Sequence, residues 1–144
     1  MKKFYDRFMV KSGEKVALKD KEADFTAGLK NKEEALGELD KNRTKLAILQ
    51  RRLFAEDKQS LLIVLQAMDA GGKDGTIRHV MKGINPQGCR VTNFRAPSAE
   101  ARSHDFLWRA HKAAPARGMI GIFNRSYYEE GLVVRVHDMV RKKV

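Results

Sequence analysis

The sequence predicts an α/β fold, a parallel sheet flanked by helices, preceded by an N-terminal helical extension. Three observations carry this. The apolar run Leu61 to Leu65 has strand length and empties into a glycine-rich turn, Ala70-Gly-Gly-Lys73, after which Ile77, Val80, Met81 and Ile84 recur at helical spacing. A second short apolar run, Met119 to Phe123, ends in the polar cluster Asn124-Arg-Ser126. Strand patterns alternate with helical ones between them, the order that parallel sheets with right-handed crossovers produce.

The elements follow in chain order. Residues 1–22 are charged, contain Gly13 and lack periodicity, so they read as an extended arm. Over 23–57, Phe25, Leu29, Leu36, Leu39, Leu46, Leu49 and Leu53 recur in steps of three, four and seven. That pattern is one long amphipathic helix, or two if Gly28 or Gly37 interrupts it. Its apolar stripe either packs on the following domain or forms a coiled-coil seam in a homo-oligomer, and packing within the chain is the favoured reading. The division is therefore 1–57 for the arm and helix, and 58–144 for a partial α/β domain. After the strand at about 60–66 and the helix behind it, Gly83 can cap that helix and Asn85-Pro-Gln-Gly88 can turn the chain. Cys89 to Phe94 reads as a second strand, ending at Arg95. Pro97-Ser98 opens one helix through Phe106, Leu107, Trp108 and Ala110 to near Pro115, with Ser98 as its cap. Gly118 leads into the third strand, and a last helix starts near Ser126 and carries Leu132, Val133 and Val136.

Strand, glycine turn and helix in that order form a phosphate-cradling P-loop. The glycines let backbone N–H groups face one anion, the helix N-terminus adds partial positive charge, and Lys73 adds a full one. The pattern is degenerate: Ala67 stands where the first glycine belongs, and Asp74 where a Ser or Thr would hold magnesium. Asp69 lies within the loop, where a carboxylate repels phosphate unless a metal ion sits between them. Met119 to Phe123 takes the place of a Walker B strand, and ligands bind at the carboxyl ends of such strands. Asn124 and Arg125 are thereby expected beside Lys73, and Arg95 ends another strand with the same aim. Ser126 or Asn124 also reads as a plain helix cap.

Charge narrows the partners. Lys and Arg number 29 against 18 Asp and Glu, a formal net charge of +11, which raises the local concentration of anions. Aromatic residues make up 8%, and no RNP motif, zinc-finger spacing or arginine-rich block is present, so a base-free phosphate chain is favoured over nucleic acid. Cys89 stands alone, which excludes an internal disulfide framework and favours a reducing compartment. It reads as a buried structural thiol on a strand with Val91. His79, His104, His111 and His137 have no zinc-like partner set. No apolar run reaches roughly 18 residues, so no membrane helix is expected, and Met1-Lys-Lys-Phe-Tyr-Asp6 lacks the apolar core of a signal peptide. The cytoplasm is the expected location.

The strings Leu65-Gln-Ala-Met-Asp-Ala-Gly-Gly-Lys-Asp-Gly-Thr76, His104-Asp-Phe-Leu-Trp-Arg109 and Phe123-Asn-Arg-Ser-Tyr-Tyr-Glu129 resemble the polyphosphate kinase 2 family. The resemblance covers about 23–144 and is most similar to the branch acting on both AMP and ADP, in which Asn stands at position 124 where other branches carry Asp. Tyr127 and Gly131 depart from the usual pattern. The resemblance implies a P-loop kinase-like fold and a Mg2+-dependent transfer of a phosphoryl group between inorganic polyphosphate and a nucleotide (AMP, ADP or ATP). Family members are about twice as long and add a basic helical lid, so the chain is expected to be an N-terminal portion. Marginal stability, self-association and weak or absent turnover are expected of it at this length.

Phosphoryl transfer needs in-line positioning and cancellation of charge more than covalent work. Asp69, Lys73 and Arg125 are the candidate catalytic residues, with Asp69 as the metal ligand. Ala70, Gly71, Gly72, Lys73, Asp74, Gly75, Thr76, Arg95 and Asn124 are the candidate phosphate- and nucleotide-binding residues. Two other readings stay open: a different P-loop kinase with ATP as sole donor, and a phosphate-binding module without turnover.

Overall fold

A computed structural model describes residues 8–17, 25, 26 and 28–129. The chain divides into two compact units, Met1–Leu39 and Asp40–Val144.

In the first unit the rings of Phe8 and Phe25 meet with centroids 5.9 Å apart. Helix α1, Lys32–Glu56, begins in this unit. Asn31 Oδ1 accepts the Glu34 N–H at 2.8 Å, and Glu34 Oε2 accepts the Lys30 N–H at 2.9 Å. Asn31 thus caps the helix and satisfies one donor that a helix start leaves open, and Glu34 reaches back to the residue ahead of the cap, one position short of a capping box. Gly28, at φ 83°, lies in the left-handed region ahead of the helix, while Gly37 sits within α1 without interrupting it. Of the helix expected over 23–57, residues 23, 24 and 27 lie outside the described residues.

In the second unit, α1 turns inward the face that carries Leu46 and Leu53 of its apolar stripe, with Leu49 left outside it. Gln50 is buried, and Arg43, Leu46, Ala47 and Leu53 around it are half-buried, whereas Ile48, Leu49 and Phe54 are exposed. Positions 46, 50 and 53 share one face at steps of four and three, which turns Leu49 to its flank. The end of α1 lies against Gly88 and Gly118, the residues just before two strands. A Cβ on Gly88 would come within 1.8 Å of Gln50 Nε2, and one on Gly118 within 3.2 Å of the Phe54 carbonyl. Arg43 Nε also donates to the His79 carbonyl at 2.6 Å. Within this unit the end of the helix thus lies at the amino end of the sheet, where β2 and β3 begin.

The sheet has three parallel strands in the order β1-β3-β2: β1 Leu61–Leu65, β2 Cys89–Asn93 and β3 Ile120–Asn124. Among the described residues β3 is central, and Ile120, Ile122 and Phe123 are almost fully buried. Among the described residues β1 and β2 are edges. Leu61, Leu62 and Val91 are exposed, and Cys89 is only half-buried, which corrects the expectation of a buried Cys89–Val91 strand. Burial pushes the Cys89 thiol above its ordinary pKa of 9.0. The Phe94 and Phe123 rings pack at 4.7 Å and 60° over Ala110 and Ala113, with Val64 and Tyr127 against them.

Helix α2, Lys73–Val80, follows the glycine turn. Gly83 lies beyond its end at φ 83°, and a 3-10 turn at Pro86–Gly88 is capped by Asn85 Oδ1, which accepts the Gln87 N–H at 3.0 Å. The single helix expected from Ser98 to Pro115 is instead two: α3, Ala99–Arg102, and α4, Trp108–Ala113. Ser98 does cap the first, its Oγ accepting the Ala101 N–H at 3.1 Å. The break follows from short polar side chains that compete with the backbone ladder. Ser103 Oγ donates to the Glu100 carbonyl at 2.8 Å, and Asp105 Oδ1 accepts the Leu107 N–H at 2.8 Å. Ser126 is buried and its Oγ accepts the Tyr128 N–H at 3.2 Å. The rest of the last expected helix, with Leu132, Val133 and Val136, lies outside the described residues. No helix among the described residues is long and apolar enough to cross a membrane.

Candidate active site

The parallel register decides what meets at the carboxyl end of the sheet. Leu65 pairs with Asn124 and Asn93 pairs with Asn124, so all three strands stop in line. Two further bonds tie the exits together: the Arg125 N–H reaches the Leu65 carbonyl at 3.0 Å, and the Phe94 N–H reaches the Asn124 carbonyl at 3.0 Å. The glycine turn leaves β1 directly above this rim.

Inside the turn, Ala70 (φ 61°) and Gly72 (φ 82°) are left-handed and flank Gly71. A Cβ on Gly71 would lie 2.9 Å from both the Ala67 Cβ and the Met68 carbonyl oxygen, so glycine alone fits there. Turn backbone of this kind makes a concavity of N–H groups suited to an anion, and the first turn of α2 continues it.

A cavity of about 250 Å³ lies over the turn, lined by Asp69, Ala70, Gly71, Gly72, Lys73, Asp74, Gly75, Asn124 and Arg125. The fold thereby gathers most of the candidate residues into one place. Thr76 and Arg95 do not line it. The Thr76 hydroxyl donates to the Gly72 carbonyl at 3.0 Å, and the Arg95 carbonyl accepts from Arg109 Nη1 at 2.6 Å.

Each charge in the cavity has an internal partner. Lys73 Nζ donates to the Ala67 carbonyl at 2.7 Å and the Met68 carbonyl at 2.8 Å. Arg125 pairs with Asp69 through Nη2, and its Nη1 lies 3.5 Å from Glu129 Oε1. Asn124 Nδ2 donates to Asp74 Oδ1 at 2.6 Å and to Asn93 Oδ1 at 2.9 Å. Asn124 Oδ1 is buried without a hydrogen-bond partner among the described residues. Arg125 itself holds φ 65°, a left-handed conformation that a side-chain residue rarely adopts without tertiary support. Against the Phe94 and Phe123 cluster, the Tyr127 hydroxyl is pushed above its ordinary pKa of 10.0, first by its hydrogen bond with Tyr128, then by the charge of Tyr128 and by burial.

The donor set fits a magnesium ion of one kind. Asp69 and Asp74 offer carboxylates to the cavity, and among the described residues no cluster of three or more His, Cys, Asp or Glu forms a dedicated cage. Magnesium is commonly held by one or two carboxylates together with substrate phosphates and waters.

Three residues of this site escaped the sequence: Asn93, Gln66 and Glu129. Asn93 had a usable signal, since it ends a strand pattern beside the expected Walker B strand. Gln66 and Glu129 had none, because their link spans 63 positions.

Comparison with known proteins agrees with this fold. The family described as Polyphosphate kinase 2 matches residues 29–144. The ADP-polyphosphate phosphotransferase of Rhodopseudomonas palustris is 50% identical over 131 residues, covering 91% of this chain and 45% of that protein. The AMP/ADP-polyphosphate phosphotransferase of Meiothermus ruber is 44% identical over 139 residues, covering 96% of this chain and 52% of that protein. The crystal structure of polyphosphate kinase 2 from Arthrobacter aurescens superimposes with a TM-score of 0.83 at 43% identity, over 92% of this chain and 48% of that one. The chain thus spans about half the length of the relatives it matches. A P-loop over a parallel sheet, a matching family profile along most of the chain and relatives at this level of identity lead to one conclusion: the chain belongs to the polyphosphate kinase 2 family.

Proposed function

We propose that the chain carries the P-loop part of a site that transfers a phosphoryl group between inorganic polyphosphate and AMP or ADP, with ATP among the nucleotides it handles. The observation that carries this reading is the single cavity shared by Lys73, Asp69, Asn124 and Arg125 in a chain of this family. The charge of +11 supports a polyanionic partner. The division into an arm and helix over 1–57 and a P-loop domain over 58–144, and a location in the cytoplasm, belong to the same proposal.

The roles follow from where each group sits. Lys73 exchanges the Ala67 and Met68 carbonyls for phosphate oxygens, a swap of neutral acceptors for charged ones that strengthens each bond. The amides of residues 71–74 hold the same phosphate from the backbone side. Arg125 offers its guanidinium to the transferring oxygens. Asp69 and Asp74 would hold magnesium, which supplies cancellation of charge between neighbouring phosphates. A nucleotide phosphate acceptor is already anionic, so no strong base is required, and the Asn124 amide orients without taking a proton. Arg95 and Thr76 serve as outer contacts.

Lys73→Ala tests the reading. Binding of labelled polyphosphate to the parent chain and its loss in the variant, with the melting temperature unchanged, is the expected result. In preparations that turn over, ATP formation from ADP should depend on polyphosphate. A loss of about 2.7–4 kcal/mol in transition-state stabilisation is usual for one preorganised charge contact. Equal binding by parent and variant would overturn the P-loop assignment. Turnover with ATP as sole donor would move the chain to a different kinase reaction, and binding without turnover would leave a phosphate-binding module.

A further inference from the structure

Arg125 can meet a phosphate only if something fixes its direction, and its backbone does not do so alone. It stands at φ 65° just past the end of β3, and its side chain is about one-third exposed. One partner is Asp69, whose side chain is 84% exposed. The other is Glu129, whose side chain is 21% exposed and far better held. What holds Glu129 is Gln66. Gln66 Nε2 donates to Glu129 Oε1 at 2.7 Å, and Gln66 Oε1 accepts from the hydroxyl of fully buried Ser126 at 3.3 Å. Both ends of the Gln66 amide are thus used, which fixes its orientation. The chain of contacts runs Ser126, Gln66, Glu129, Arg125, and closes through the bond from the Arg125 N–H to the Leu65 carbonyl, next to Gln66.

We infer that Gln66 is a positioning residue for Arg125: it holds the Glu129 carboxylate where that carboxylate braces the guanidinium toward the cavity. Gln66 touches no reacting atom and does not line the cavity. An amide suits this place better than a charged side chain. A lysine would draw Glu129 away from Arg125 as a rival cation, and a carboxylate would repel it. The brace also separates two tasks. Asp69 leaves Arg125 when phosphate or a cation enters, and Glu129 keeps the guanidinium aimed during the exchange.

This rests on the proposed phosphate-binding role, so the test reads the brace separately from that role. Gln66→Met keeps the side-chain length and removes both hydrogen bonds, and Gln66→Glu keeps the acceptor for Ser126 while facing Glu129 with a second carboxylate. Affinity for tripolyphosphate is measured by calorimetry in the parent, in each variant, in Arg125→Ala and in the double variants, alongside melting temperatures. Gln66→Met should weaken tripolyphosphate binding by roughly 3- to 10-fold, the range a single net hydrogen bond supplies, and should weaken it no further in the Arg125→Ala background, while Gln66→Glu should weaken it more in the parent than in the Arg125→Ala background, where only the general repulsion of its added charge remains. A merely structural role would lower affinity equally in both backgrounds, and that result, or undiminished affinity in the parent background, overturns the inference. The side-chain N–H signals of Arg125 in the ligand-free chain give a second measurement: Gln66→Met should speed their exchange with solvent. Unchanged exchange overturns the brace even where binding is strong. Slowed exchange in the parent, lost in the variant, upholds it even if tripolyphosphate does not bind, an outcome that would sink the phosphate-binding role instead.

Discussion

Asn124→Asp is the substitution that asks most of the site. In the parent, Asn124 Nδ2 lies 2.6 Å from Asp74 Oδ1 and 2.9 Å from Asn93 Oδ1. The change replaces a two-armed donor with oxygen and adds a negative charge at hydrogen-bond distance from Asp74. At 2.6 Å, two unit charges repel by about 1.6 kcal/mol in bulk water and by about 6 kcal/mol at the effective dielectric of a protein surface. The lost donor adds roughly 1 kcal/mol more. Asp74 is exposed, which draws the total toward the lower half, about 3–5 kcal/mol. A proton shared by the two carboxylates removes the repulsion, as does a cation between them.

The sign of the pH dependence follows. In the folded variant one of the two carboxyls keeps its proton to a higher pH than in the unfolded chain, so the folded state binds more protons. Stability relative to the parent is therefore best in acid and declines as the pH rises above the ordinary carboxylate range of about 4. Urea unfolding of parent and variant at pH 5 and pH 8, with and without millimolar magnesium, measures it. The expected deficit is about 3–5 kcal/mol at pH 8, smaller at pH 5, and reduced by magnesium at pH 8. A variant as stable as the parent at pH 8 without a cation would refute the Asn124–Asp74 contact, and with it the claim that the strand end and the first turn of α2 share one pocket.

Other expectations follow from single features. Gln50 is 2% exposed and neither end of its amide has a hydrogen-bond partner among the described residues, so Gln50→Leu should stabilise by about 1 kcal/mol in denaturant unfolding; a loss of similar size would mean that the amide is satisfied by water. The Cys89 thiol, raised by burial, binds more protons folded than unfolded. Its contribution to stability is full below pH 9.0 and is lost as the pH climbs through the thiol range. Alkylation at pH 8 should accordingly be slower in the native chain than in urea, and equal rates would contradict the burial. Polyphosphate affinity should fall log-linearly with salt as counterions are released, and a flat titration would reduce the +11 charge to a matter of solubility.

How far the sequence carries depends on the range of the interaction that decides each feature. β1, the glycine turn and α2 were legible because apolar run, glycine and helical period lie within 20 positions and obey local rules. The same holds for the Asn85 turn and the Ser98 cap, each set by a side chain reaching two or three residues along. The break between α3 and α4 was also local, yet Ser103 and Asp105 were overlooked beneath the apolar spacing around Trp108. The inward face of α1 was legible in part: Leu46 and Leu53, seven residues apart in the apolar stripe, lie on it. Its leucines point to a stripe through Leu49, but the place nearest the sheet belongs to Gln50, because Gly88 leaves room there. The edge exposure of Val91 depends on strand order, which no pattern within β2 records. In the site, residues that line the cavity were found from motif position, while Asn93, Gln66 and Glu129, which hold those residues in place, sit on partners 31 and 63 positions away.

The internal pairing of every charge in the cavity has a consequence for how the site can bind. Lys73 is bonded to two carbonyls, Arg125 to two carboxylates, and Asp74 to an amide. An arriving phosphate therefore exchanges partners rather than filling empty ones, so its net gain is smaller than the charges alone suggest. The exchange is uneven. Lys73 gives up neutral carbonyls, which are cheap to release, whereas Arg125 must release Asp69, a full charge. Releasing Asp69 leaves a carboxylate beside a phosphate, an arrangement that favours a cation between them. Cation and phosphate should accordingly reinforce each other at this site, by a coupling that runs through Asp69 and is the same whichever binds first. Asp69→Asn separates the two halves of that statement. It frees Arg125, so metal-free tripolyphosphate should bind more tightly than to the parent, and it removes the carboxylate, so added magnesium should gain less than it does in the parent. If the variant instead bound metal-free tripolyphosphate more weakly, Asp69 would be supporting the anion directly, and the exchange through Arg125 would not describe this site.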